Sequence, residues 1–379
     1  MTVTAVPEIA LFVDPATHHF ENDGLFRLDT NPLGGSDVLA PYLHLREWMA
    51  QRGIPVHTAD VLERGEVRAE RNVYVSMGMR SRYPSMARRE DTVMSAFFAM
   101  ECPAVEPQLY RDLHAASTVF RRTFSYSSAA ALEPYVTAPI DVQTFRIPQS
   151  FDAVHEQIWA DRDRGFITMI NANKEPRLKT KELYTERMRA VAHFERHGEI
   201  DLYGMGWDVP PYRMGQTWVP ATGQRIMRSA QAAWHRVHTP ELLAAARRAW
   251  RGAAGDKAAT LGRYRFAVCF ENMDLEGWIT EKLFDCLFSG TVPIYLGAPD
   301  IEHWVPRECF IDMRAFAGYP ELREYLHALS PAEVEGFRAA AREFVGSDRY
   351  RPFSRAAFAE RFGRLVQEDA GADLDAAPS

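Results

Sequence analysis

The residues of this chain best suited to chemistry stand in two pairs, Glu271-Asn272 and Glu281-Lys282. An apolar run at 266–270 precedes the first pair. The second precedes Leu283, Phe284, Leu287 and Phe288, which share one helix face by their spacing. A further apolar run, 292–296, ends at Gly297. Together these read as a βαβ unit: a strand buried on both faces, a helix capped by Thr280 and closed by Gly290, and a return strand. Glu271 and Asn272 then leave the carboxyl end of one strand, and Glu281 and Lys282 sit in the first turn of the next helix. Ligands of open α/β sheets bind at that edge. Free N–H groups, a positive dipole end and a lysine suit a diphosphate. A carboxylate such as Glu281 accepts hydrogen bonds from ribose or sugar hydroxyls. The plain alternative is a pair of solvated first-turn residues. Arg187 lies with Leu183, Val191 and Phe194 on the inward stripe of a helix over 181–197. It needs an anionic partner, either a structural carboxylate or a bound phosphate, unless its head reaches water.

The elements that must position these groups run the length of the chain. Strands are expected near 9–13, 55–58, 73–76 and 93–98. A helix starts at Ser36 or Asp37, carries Leu39, Tyr42, Leu43, Leu45 and Met49 inward, and ends at Gly53. A polar stretch at 161–165 precedes a second alternating set: strand 166–170, helix 181–197, strands 200–203 and 266–270, helix 281–289 and strand 292–296. Strands alternating with helices predict parallel sheets joined by right-handed crossovers. The domains expected are 1–160 and 165–345, two doubly wound halves facing a central cleft, with a C-terminal helical segment at 346–379. Its acidic, Ala-rich tail from Gln367 is predicted to be disordered. The helical portion of 240–252 reads as a solvated cap, and the long segment 207–260 has no residue-level assignment.

At 379 residues, 46% apolar and 25% charged, the chain is of globular composition and long enough for two domains. Its net charge of −7 (44 minus 51) argues against a general nucleic-acid binder. No run approaches the roughly 18 apolar residues of a membrane span, and residues 1–5 lack the pattern of a signal peptide. Cys102, Cys269, Cys286 and Cys309 are far apart in apolar settings, as expected of reduced, buried thiols in a cytoplasmic protein. No Cys/His cluster has zinc spacing, and His18-His19 has no third ligand nearby. Asp161-Arg162-Asp163 spells a D-x-D, a pattern that can hold manganese on a diphosphate, but three residues carry little information. No metal site is assigned.

The segment from Arg263 to Pro306 resembles the donor-binding signature of the alpha-1,3/4-fucosyltransferases, glycosyltransferase family 10. The matching residues are Phe270-Glu271-Asn272, Trp278-Ile279-Thr280-Glu281-Lys282-Leu283, Gly290-Thr291-Val292-Pro293 and, further on, Cys309-Phe310-Ile311-Asp312. Two stretches match more loosely: Glu186-Arg187-Met188-Arg189, and Ile200 to Gly204. In the first half, residues 97–103 resemble the family's W-x-x-F-E-S-P, and Thr123-Phe124-Ser125-Tyr126 its T-x-S-Y. The chain departs from the family at Trp278, Met273, Cys102 and Ser127-Ser128.

The resemblance implies a GT-B fold, with an acceptor domain followed by a GDP-sugar domain. It implies GDP-fucose as donor, bound by Glu271, Asn272, Trp278, Glu281, Gly297 and the diphosphate pair Arg187 and Lys282. It also implies Glu101 as acceptor base, with Tyr126 a candidate on the acceptor side. His18 and His19, in the first long loop, are further acceptor-side candidates, and Glu106 is the rival carboxylate. The reaction expected is a single displacement with inversion, independent of metal or cofactor. The acceptor would be the hydroxyl of a glycan or lipid-linked oligosaccharide, and peripheral contact with a membrane is compatible with this. The alternatives are a transferase for another nucleotide sugar and a non-catalytic nucleotide- or sugar-binding protein.

Overall fold

The computed structural model describes residues 6–28, 38–78, 82–159, 164–209, 211–213, 223 and 240–374. The chain forms two compact units, one of residues 1–103, 107–152 and 351–379, the other of residues 104–106 and 153–350.

In the first unit, strands β1 (Ile9–Asp14), β2 (Val56–Thr58), β3 (Arg71–Ser76), β4 (Thr92–Ala99), β5 (Arg122–Ser125) and β6 (Gln143–Thr144) make one sheet, ordered β2-β1-β3-β4-β5-β6. Every pairing is parallel. Leu11, Phe12, Val13, Val73, Tyr74 and Val75 are fully buried, which is why these strands are continuously apolar. Phe98 stacks on Phe124 at 4.6 Å and on Phe362 at 5.4 Å.

Phe362 belongs to the C-terminal helix Arg355–Ala370, so the last segment is part of the first unit rather than an appendage. The disorder expected from Gln367 onward is not found over residues 367–370. The helix buries Phe358, Phe362, Leu365 and Val366 along one stripe, and that stripe holds its final turn in place. Asp369 there accepts hydrogen bonds from Arg121 and Arg122, each at 2.8 Å.

In the second unit, β7 (Gly165–Ile170), β9 (Ile200–Tyr203), β11 (Tyr264–Phe270), β12 (Val292–Leu296) and β13 (Ile311–Asp312) form a parallel sheet ordered β13-β12-β11-β7-β9. The short strands β8 (Lys174–Glu175) and β10 (Tyr212–Arg213) pair separately. Both large sheets share one winding, in which the first strand lies between the second and the third. Strand order therefore reverses between β1 and β3 in one sheet, and between β7 and β11 in the other. Crevices at such reversal points are where doubly wound sheets take ligands.

The expected helix over 281–289 is present, with Leu283, Phe284, Leu287 and Phe288 buried and Gly290 ending it at φ +64°. The helix Glu241–Ala249 is not a solvated cap. Its Leu243, Ala246 and Ala249 join the core against Val191, Phe194 and Leu202. Ser36 and Asp37, the D-x-D at 161–163 and most of 207–240 lie outside the described residues. Among the described residues no helix is long and apolar enough to cross a membrane. All four cysteines are buried and free.

Candidate active site

Three successive residues at the carboxyl end of β11 organise the second unit's sheet edge. The Phe270 carbonyl accepts two hydrogen bonds from Arg187, from Nε at 3.0 Å and Nη2 at 2.6 Å. Asn272 Oδ1 accepts a third, at 3.0 Å. The guanidinium also lies over the Tyr184 ring, 4.6 Å from its centroid. Arg187 points inward and is only 4% exposed, but its partners differ from expectation. Among the described residues its hydrogen-bond partners are carbonyl oxygens, and it forms no ion pair with a carboxylate. It lines a pocket of about 370 Å³ together with Asn171, Lys174, Glu175, Lys179, Tyr184 and Trp207.

Glu271, between these two acceptors, is fully buried. It accepts the Thr280 backbone N–H and hydroxyl, both at 2.7 Å, and Lys282 Nζ at 3.3 Å. This corrects two expectations. Glu271 is a positioning residue beneath the surface rather than a donor contact, and the Thr280 hydroxyl binds Glu271 instead of capping the helix. Gly297 completes the arrangement: a Cβ there would stand 2.5 Å from both Glu271 Cγ and Tyr295 Oη. Trp278 is 2% exposed, so its ring packs in the core and offers no face to a sugar.

At the start of the helix, Lys282 Nζ donates to Thr280 Oγ1 at 2.9 Å and lies 3.4 Å from Glu281 Oε1. Lys257 pairs with Asp285, one turn beyond Glu281. Burial pushes the Glu281 carboxyl up, but Lys282 and Lys257 outweigh it and hold it down to about 2. Glu281 thus stays an ionised acceptor throughout the neutral and mildly acidic range. These charge interactions are complete above its ordinary value of 4.5 and fade only as pH falls toward 2. Lys282 thus has carboxylate partners, whereas Arg187 has no ion-pair partner among the described residues.

In the first unit, Glu101 follows β4 and is partly exposed. Its Oε1 accepts the Cys102 N–H at 2.8 Å, and its backbone carbonyl accepts the Tyr110 hydroxyl at 2.6 Å. His18 and His19 are exposed on a short turn with their rings 4.1 Å apart. Glu106 is buried. Tyr126 is 1% exposed, donates to Met100 Sδ at 3.2 Å and packs on Phe145. It is a core residue rather than an acceptor contact.

Sequence reasoning missed the group at the first sheet's reversal point. Asp14, at the end of β1, accepts from Tyr74 Oη at 2.6 Å and from Arg82 Nη1 at 2.6 Å. Arg82 also bonds Glu21 and Glu63. The one signal in the sequence was a charged residue closing an apolar strand. Also missed were Lys257 with Asp285, and Arg314, which joins Asp274 to Gly297.

Residues 241–337, which include the Glu271–Lys282 network, match the family model for the C-terminal part of glycosyltransferase family 10 (fucosyltransferase). By this segment the chain is similar to glycosyltransferase family 10. Over 74 residues it is 41% identical to an alpha-(1,4)-fucosyltransferase of Arabidopsis thaliana, a match covering 20% of this chain and 18% of that protein. Over 70 residues it is 41% identical to GDP-fucose protein O-fucosyltransferase 3 of Xenopus laevis, covering 18% and 15%. The matches thus span less than a fifth of these relatives' lengths. The crystal structure of an alpha1,3-fucosyltransferase shares the fold at a TM-score of 0.50 and 13% identity, over 99% of this chain and 95% of that one. The fold is GT-B.

Proposed function

We propose that this protein is an inverting, metal-independent fucosyltransferase that moves fucose from GDP-fucose to a hydroxyl of a glycan acceptor. The observation that carries the reading is Arg187: a buried guanidinium whose hydrogen-bond partners among the described residues are carbonyl oxygens, lining a pocket beyond the carboxyl end of β7. A bidentate cation without a carboxylate partner suits a diphosphate. The donor-side family match, and the fucosyl donors that the matched relatives' names carry, support GDP-fucose over other nucleotide sugars.

In this reading the Glu101 carboxylate takes the acceptor proton as the acceptor oxygen bonds the anomeric carbon. The bond from that carbon to the GDP oxygen breaks in the same step, which inverts the centre. Arg187 and Lys282 stabilise the charge that develops on departing GDP, and Glu281 accepts hydroxyl hydrogen bonds from the donor.

Two measurements test the donor side. With a chelator present, calorimetry should find that GDP and GDP-fucose bind while UDP binds at least tenfold more weakly. Strict dependence on a divalent metal, or equal affinity for UDP, would overturn the assignment. Arg187→Ala should weaken GDP binding by about 1.5–3 kcal/mol, the range for hydrogen bonds to a charged group. Lys282→Ala should lose less, because Glu271 and Glu281 already offset its charge. Wild-type affinity in a folded Arg187→Ala protein would make Arg187 purely structural.

A further inference from the structure

Arg314, on the short turn after β13, gathers groups from three segments. Its Nη2 donates to the Gly297 carbonyl at the end of β12 (2.6 Å) and to Asp274 Oδ2 in the loop after β11 (3.0 Å). Its Nη1 lies 3.9 Å from Asp312 Oδ1, and its backbone N–H donates to that same oxygen at 2.9 Å. Among the described residues, Nε and Nη1 make no hydrogen bond. The cluster is open to solvent, with Arg314, Asp274 and Asp312 exposed by 31%, 36% and 17%.

Two carboxylates around one guanidinium give the group a charge of −1, which does not favour a phosphate. Donors and acceptors side by side are instead what vicinal hydroxyls require. The location is specific too. Gly297, held by Arg314, abuts Glu271, and Glu271 holds Lys282. The cluster therefore stands beside the cationic end of the donor helix, at the same sheet edge.

We propose that Asp274, Asp312 and Arg314 form the subsite that reads the hydroxyls of the sugar carried by the nucleotide. This rests on the GDP-sugar reading above and adds the sugar-recognising residues to it. Arg314 and Asp274 supply the discrimination, and Asp312 holds the turn that presents Arg314.

The test is calorimetric titration of the full chain with GDP and, separately, GDP-fucose, for wild type, Arg314→Met and Asp274→Asn. Both variants should bind GDP within about twofold of wild type. Their affinity for GDP-fucose should fall about tenfold or more, the loss expected when a charged hydrogen-bonding group is removed. Arg314→Lys keeps the charge without the planar fork and should not restore GDP-fucose affinity. Should Arg314→Met fail to fold, Asp274→Asn preserves side-chain shape and gives the same readout. Parallel weakening toward GDP and GDP-fucose, unchanged GDP-fucose affinity, or a wild type that binds the two equally would each overturn the subsite. A wild type that binds neither would overturn the donor reading itself, and the subsite with it.

Discussion

Glu101→Gln is expected to lower turnover with an identified acceptor by about 10²–10⁴, the usual contribution of a general base. The substitution is a clean one in this setting. Glu101 Oε1 accepts the Cys102 N–H, and a glutamine carbonyl can accept the same bond, so the turn after β4 should keep its shape. GDP affinity should not change, because Arg187, Lys282 and Glu281 are untouched. A residual rate should persist, since positioning of the reactants does not require the base. The wild-type rate should fall on the acidic side as the carboxylate takes up a proton, and the variant should lack that limb. Near-normal turnover by a folded Glu101→Gln protein would remove Glu101 from the mechanism. His18 and His19, exposed in the same unit, would then be the residues to substitute, ahead of the buried Glu106.

The second large effect concerns stability. Glu271→Ala would strip a fully buried carboxylate from Lys282 and leave the Thr280 N–H and hydroxyl without their acceptor. Two buried donors left without an acceptor, at about 1–3 kcal/mol each, and a Lys282 that keeps only Glu281 as its carboxylate should together destabilise by about 3–5 kcal/mol. In a unit of this size that corresponds to a fall of roughly 6–20 °C in the unfolding midpoint. Glu271→Gln retains an acceptor for Thr280 and should fall by less. A loss below about 1 kcal/mol on thermal or denaturant unfolding would show that the network holds the loop only weakly.

The parts of this molecule that were legible in its sequence are those with a local cause. Apolar runs located the strands flanking the helix Glu281–Ser289 because a strand buried on both faces has no room for polar side chains. Helical spacing placed Leu283, Phe284, Leu287 and Phe288 inward, and the same periodicity turned Arg187 inward. What Arg187 would meet there was not legible. Its partners are a carbonyl 83 residues away and an amide 85 residues away, set by how a helix lands on a neighbouring strand. Aromatic residues misled for a related reason. A tryptophan or tyrosine can stack on a sugar or fill a core, and only tertiary packing shows that Trp278 and Tyr126 do the latter. The acidic tail misled because composition averages over a stripe. Phe358, Phe362, Leu365 and Val366 anchor the helix whose last turn carries Asp369, and the arginines that hold Asp369 lie some 247 residues earlier.

That returning helix bears on how the chain is made. The first unit contributes all six strands before residue 153, yet Phe358 and Phe362 arrive only after the whole second unit has been synthesised. At about 5–20 residues per second, the roughly 200 intervening residues take on the order of 10–40 s to add. Throughout that interval the face of β4 and β5 that carries Phe98 and Phe124 lacks its cover. The second unit is contiguous apart from residues 104–106 and can close as it emerges, so the order of completion on the ribosome reverses the order of the units along the chain. A ribosome stalled before Arg355 would present an apolar sheet face to the cell's chaperones.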